Sequence, residues 1–165
     1  MIRPQRLLLA AVVVPVTAGA LSACAGLEFR ADRRLSITAP KKHAVVTAPV
    51  TVSWTMTDPP PGGSYAVFVD RNPIKVGQTL KAVVESNDNA CKADPACPDP
   101  AYLQAHYVYV TTTPTVRIEA FKKLTSNRSH VEHEITVVLL DATGKRANES
   151  SWSRDFEVHA AQVGS

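Results

Sequence analysis

Residues 50–56 read Val50-Thr51-Val52-Ser53-Trp54-Thr55-Met56, and their alternation decides the fold. Successive side chains of an extended chain point to opposite faces, so Val50, Val52, Trp54 and Met56 share one face and the hydroxyl residues the other. This is the pattern of a strand buried on one side. Asp58-Pro59-Pro60-Pro61-Gly62-Gly63-Ser64 ends it, because proline has no amide to offer a ladder and glycine favours turns. Residues 65–70 then return as the next strand.

The same reading extends in both directions. Leu35-Ser36-Ile37-Thr38 alternates until Ala39-Pro40, as a first strand does. His106-Tyr107-Val108-Tyr109-Val110 continues into Thr111, Thr112 and Thr113. Pro114 breaks the run and residues 115–121 resume it, giving two strands or one bent strand. Residues 134–141, the turn Ala142-Thr143-Gly144-Lys145 and residues 150–159 complete the set. Helical periodicity of useful length is missing, and only residues 78–85 suit one short helix. About seven short strands separated by turn signals predict an all-β sandwich.

A family likeness rests on these residues. Pro49 to Thr55, the proline-rich turn and Tyr65-Ala66-Val67-Phe68-Val69 resemble the second and third strands of a fibronectin type III or related immunoglobulin-like domain. Residues 134–141, the turn at Gly144 and a closing strand with Trp152 and Phe156 fit the same plan. The resemblance implies an immunoglobulin-like sandwich over residues 35–160, followed by a tail at 161–165. The chain departs from the antibody pattern in lacking an inter-sheet cysteine pair, and from the fibronectin pattern in a long insertion after the third strand.

The amino terminus carries an address. Arg3 and Arg6 precede an apolar run from Leu7 to Val16, and small residues lead to Leu21-Ser22-Ala23-Cys24, the layout of a secretory signal peptide. A spanning helix needs about 20 predominantly apolar residues; Pro15, Thr17, Gly19 and Ser22 interrupt this run. Leu21-Ser22-Ala23-Cys24 resembles the lipobox of bacterial lipoproteins. That resemblance implies diacylglycerol on the Cys24 thiol, cleavage before Cys24 and acylation of the new terminus. Residues 1–23 are then a removed signal and 24–34 a lipidated tether at the extracytoplasmic face of the cell membrane. Two or more acyl chains, each contributing about 0.8 kcal/mol per buried methylene, hold such a protein stably. Arg30, Arg33 and Arg34 lie near the head groups, partly balanced by Glu28 and Asp32.

Removing residues 1–23 from the 165 leaves 142, enough for one domain. The formal charge of +3 falls to +1 without Arg3 and Arg6, which points away from nucleic acid and polyanionic partners. Cys91 and Cys97, in an exported chain, read as a disulfide. Closing so short a loop stabilises by about 2 to 2.5 kcal/mol in the chain-entropy estimate. Their spacing lacks the shorter Cys pairs of a structural zinc site.

The insertion at residues 72–105 is too long for a hairpin connection, and such segments are commonly functional or disordered. Asn87, Asp88, Asn89, Asp94, Asp99 and Tyr102 make it a candidate binding loop, with a cover over one sheet face or edge as the alternative. The oxygen ligands do not follow EF-hand spacing. His130 and His133, with Glu132 between them, are expected as surface residues where a strand begins. Trp54 is in phase with core residues; Trp152 is expected to pack in the core, a sugar-stacking platform being the alternative for both.

No nucleophile elbow, phosphate-cradling glycine loop or zinc-protease motif is present, and Asp70, Glu85 and Glu119 are scattered. The sequence therefore predicts a binding protein without enzymatic activity, metal or cofactor. The leading expectation is a membrane-anchored interaction module that docks on an envelope protein through its long loop or an exposed strand edge. A carbohydrate- or cell-wall-binding module is the alternative, and it requires Trp152, Tyr102, Tyr107 or Tyr109 to lie together in a shallow groove. A metal-binding accessory protein, requiring His130 and His133 to converge with Cys, Asp or His43, is third. Oligomeric state is not written in the sequence.

Overall fold

The computed structural model describes residues 32–59, 61–122 and 129–159. The signal segment, Cys24, most of the tether and the tail lie outside the described residues.

Two sheets pack face to face. One contains β1 (Leu35–Ala39), β3 (Val50–Met56) and β6 (Thr115–Ile118), antiparallel in the order β1-β3-β6. The other contains β2 (Val45–Val46), β8 (Trp152–His159), β7 (His130–Leu140), β4 (Ser64–Val69) and β5 (Val108–Thr111), in the order β2-β8-β7-β4-β5. Among the described residues, only β2 runs parallel to its neighbour, β8. Residues 106–121 are thus two strands in different sheets. The two-residue β2 is too short to show a periodicity.

The alternation of β3 is realised as expected. Val50, Val52 and Trp54 are buried between the sheets with Ile118, Val67, Ile135 and Phe156. Trp54 is only 3% exposed, and its ring meets Tyr65 edge to face at 5.1 Å between centroids.

The middle strands of the larger sheet behave differently. β4 is buried from Tyr65 to Val69 and β7 from Ile135 to Leu140, without alternation. Their second face, Ala66, Phe68, Val138 and Leu140 together with Val108 of β5, forms a separate apolar cluster with Ile74, Leu80, Val83 and Leu103 of the insertion. The insertion therefore covers the outer face of the five-stranded sheet. Near-continuous apolar runs are what strands with two covered faces require.

The insertion contains more helix than the sequence suggested. The single helix expected at 78–85 is a 3-10 turn, Leu80–Val83, and two short helices follow, α1 (Asn89–Ala93) and α2 (Pro100–Ala105). Both α-helices begin with an aspartate whose carboxylate accepts a backbone N–H. Asp88 accepts from Cys91 at 2.9 Å and Asp99 from Tyr102 at 2.7 Å, with Pro100 opening α2 where its missing donor costs nothing. They are too short for hydrophobic periodicity to register. The Cys91–Cys97 disulfide joins α1 to the following turn, with the Cα atoms 5.2 Å apart.

Arg146 fastens the insertion to the β7–β8 connection. Its guanidinium donates to the carbonyl oxygens of Ile74 (2.7 Å), Asn148 (3.0 Å) and Glu149 (2.8 Å). Backbone bonds join Gly77 to Arg146 and Arg146 to Gln78. The residue is only 9% exposed.

Candidate binding edge

The residues proposed from sequence as a binding loop hold the insertion together. Asp88 and Asp99 cap helices, and Asp94 Oδ1 accepts the N–H of Ala96 at 2.8 Å. The Cys91 N–H holds the Asp88 carboxyl below the usual carboxylate range. Asn87 and Asn89 are exposed. Tyr102 stacks on His106, with ring centroids 4.0 Å apart. Of the six, Asp88 and Tyr102 lie beside one another. No group of three or more metal-ligating side chains occurs among the described residues.

The aromatic residues are dispersed as well. Trp152 is half-buried on β8, where its Nε1–H donates to the Asp32 carbonyl at 2.6 Å. Ser150 donates to the Asp32 carboxylate at 2.8 Å, which fastens the segment before β1 to the start of β8. Arg34 beside it, chiefly by hydrogen bonding, holds the Asp32 carboxyl far below its ordinary range. Tyr107 and Tyr109 do share a groove, half-buried between β5 and β6, of about 460 Å³ and lined also by Gln104, Arg117 and Glu119. Burial pushes the Tyr109 hydroxyl above the ordinary tyrosine range, assisted by Tyr107 and Glu119. Arg117 and Glu119 neutralise one another across 2.7 Å.

β5 is the outermost strand of its sheet, and its second edge pairs with nothing among the described residues. Its backbone phase follows from one bond and the register. Val69 N–H donates to Tyr107 O at 3.0 Å, and Val67 faces Tyr109 while Phe68 faces Val108. Hydrogen-bonded and non-bonded pairs alternate in an antiparallel ladder, so Tyr109 and Thr111 turn their amides toward β4. Val108 and Val110 turn theirs away from β4; Val108 is fully buried, so the exposed part of this edge begins at Val110. Val110 is also one of the three large apolar side chains most exposed among the described residues, at 45%.

Nature blunts free edges with charge, proline or bulges. Residues 107–116 carry no charged side chain, and their one proline, Pro114, follows the end of β5. Tyr107 occupies the left-handed position after α2, with φ +58°, where glycine is the usual occupant. The left-handed turn after α2 brings the chain directly into β5.

His133 corrects the sequence expectation of a surface residue, whereas His130 opens β7 and is partly exposed. His133 is 1% exposed, in phase with Val131 and Ile135 on the core side of β7. Its Nδ1–H donates to Asp70 Oδ2 at 2.6 Å, and its ring lies against Phe121 at 4.7 Å between centroids. Asp70, left-handed at φ +52°, also accepts the Glu134 N–H on Oδ1 at 2.9 Å. The carboxylate is thus a latch from the end of β4 to β7. His130 lies at the rim, with its ring near His159. Asp70 and His133 stand 63 residues apart in the chain, and only the period-2 phase of His133 with its neighbours signals its burial in sequence.

No family model matches this chain, and neither a curated protein nor a solved structure does.

Proposed function

We propose that this chain is an exported lipoprotein, anchored through Cys24, whose sandwich is a protein-interaction module of the cell envelope. The observation that carries the reading is the end of the outermost strand β5 at Val110: an exposed apolar residue whose backbone turns away from β4, with no charge across residues 107–116. Strand addition to such an edge is a common mode of protein recognition, the main chain providing affinity and adjacent pockets selectivity. The groove at Tyr107 and Tyr109 supplies a pocket of that kind.

The Cys91–Cys97 disulfide supports an oxidising compartment, and the lipobox-like Leu21-Ser22-Ala23-Cys24 supports the anchor. An immunoglobulin-like fold is part of the same proposal. It is supported by the three-strand and five-strand orders and by a short strand running parallel to β8.

A second reading, saccharide binding, draws on Tyr107 and Tyr109 alone, since Trp152 and Tyr102 lie elsewhere. The test places a photo-crosslinking amino acid at Val110 or, as a control on the insertion, at Lys92, in intact cells. The interaction reading expects protein adducts from position 110 and few from 92. Equal labelling from both positions, or none from 110, contradicts it.

A further inference from the structure

We infer that the cleft floored by Trp54 and Tyr65, at the end of the sandwich where the chain enters it, holds an acyl chain of a membrane lipid. The inference rests on the anchor at Cys24 and adds a second site to the reading above.

The cleft opens where β3 leaves for β4 and where the chain crosses from β5 to β6, so both sheets contribute to it. Its volume is about 510 Å³, within the range of about 300 to 1,000 Å³ usual for small-molecule sites. Trp54, Tyr65 and Leu139, each exposed by 7% or less, form the floor, and Met56, Pro59 and Pro114 stand at the rim.

Charge and hydrogen bonding select the occupant. None of the ten described residues that line the cleft is charged. The groove at Tyr109 has Arg117 and Glu119, and the one at Asp70 has Arg71, Glu85 and Lys122. The Tyr65 hydroxyl donates only to the Met56 sulfur, at 3.6 Å; a thioether is a weak acceptor, which leaves the hydroxyl a better bond to give. A peptide or a sugar brings many polar groups into a cleft, and each one left without a partner costs free energy. An acyl ester brings one carbonyl acceptor for the hydroxyl and an apolar chain for the floor.

Position supplies the source. Leu35 pairs with Met56, and the Thr57 N–H donates to the Arg34 carbonyl at 2.8 Å, so the chain enters β1 beside the cleft. Arg34 follows Cys24 by ten residues, a span of at most about 36 Å when fully extended. A domain tethered through Cys24 therefore keeps this cleft within reach of bilayer lipid.

The experiment uses the full chain purified from membranes and returned to phosphatidylcholine vesicles whose acyl chains are either brominated or plain. Bromine quenches an indole at contact, and Trp152→Phe leaves Trp54 as the sole tryptophan. Trp54 emission is expected to lose most of its intensity in the brominated vesicles. Thr112→Glu and Pro59→Glu each place a charge at an exposed lining position, and either should restore the emission with an unaltered melting temperature. Equal emission in both kinds of vesicle, or quenching that both variants leave unchanged, overturns the inference. If equal emission comes from protein that floats with the vesicles, the anchor stands and the cleft assignment alone fails; if the protein does not float, both fail.

Discussion

Asp70 and His133 form a side-chain bond of 2.6 Å that closes the end of β4 onto β7, and the imidazole is walled by Phe121 and Phe156. Breaking one side strands the other partner. Asp70→Ala leaves a buried imidazole without its acceptor, and His133→Leu leaves the carboxylate without its donor. Each single change should cost about 1.5 to 3 kcal/mol, the range for bonds to charged groups. The double variant should cost less than the sum, with a coupling of about 1 to 3 kcal/mol in urea unfolding. Additive losses would mean that the two side chains act independently.

Trp54 fills the space between the sheets against Tyr65. Trp54→Ala should destabilise by about 3 to 5 kcal/mol, as large core truncations do. A loss below about 1 kcal/mol would be incompatible with its burial.

Arg146 is the clamp between insertion and scaffold. Arg146→Met keeps the apolar stem and removes the donors to Ile74, Asn148 and Glu149. Stranding partly buried carbonyls should cost about 2 to 3 kcal/mol. Hydrogen exchange should accelerate at the Gly77 amide, which bonds to Arg146. Unchanged protection there would show that the insertion is held by its apolar cluster alone.

Acid should weaken the domain. The carboxyls of Asp32, Asp88 and Asp141 are held below their ordinary range, chiefly by Arg34, the Cys91 N–H and the Thr143 hydroxyl respectively. A group whose folded pKa is depressed contributes stability above its unfolded pKa, 3.8 for an ordinary aspartate, and that contribution is lost as pH falls through the folded value. The urea midpoint should therefore drop as pH is lowered through the carboxylate range. Asp141→Asn should lower it near neutrality and reduce the drop. A midpoint that rises on acidification contradicts this assignment.

What the sequence showed and what it concealed follow from the range of each interaction. The alternation of Val50 to Met56 is local and survives folding intact. The roles of Ile74, Val83 and Leu103 are not local, since each packs on a sheet face distant in sequence and no periodic pattern around it marks that contact. The complementary signal lay in β4 and β7, whose unbroken apolar runs require cover on both faces. Asp99-Pro100 is a readable helix start, yet six residues of helix give too little periodicity to confirm it. The candidate edge was partly legible: residues 107–116 are visibly β-branched and uncharged. That β5 is outermost depends on strand order, which no local pattern encodes. Asp88, Asp94 and Asp99 look like ligands by type but are satisfied by their own backbone, a distinction only coordinates make.

The central claim, an interaction domain held at a membrane by lipid, is tested most directly by the intact mass of the protein recovered from membranes. The account expects a chain beginning at Cys24 and carrying diacylglycerol and amino-terminal acylation, whereas Cys24→Ser accumulates unprocessed and unacylated. Equal masses for the two proteins apart from the substitution itself, with no lipid on either, would contradict it.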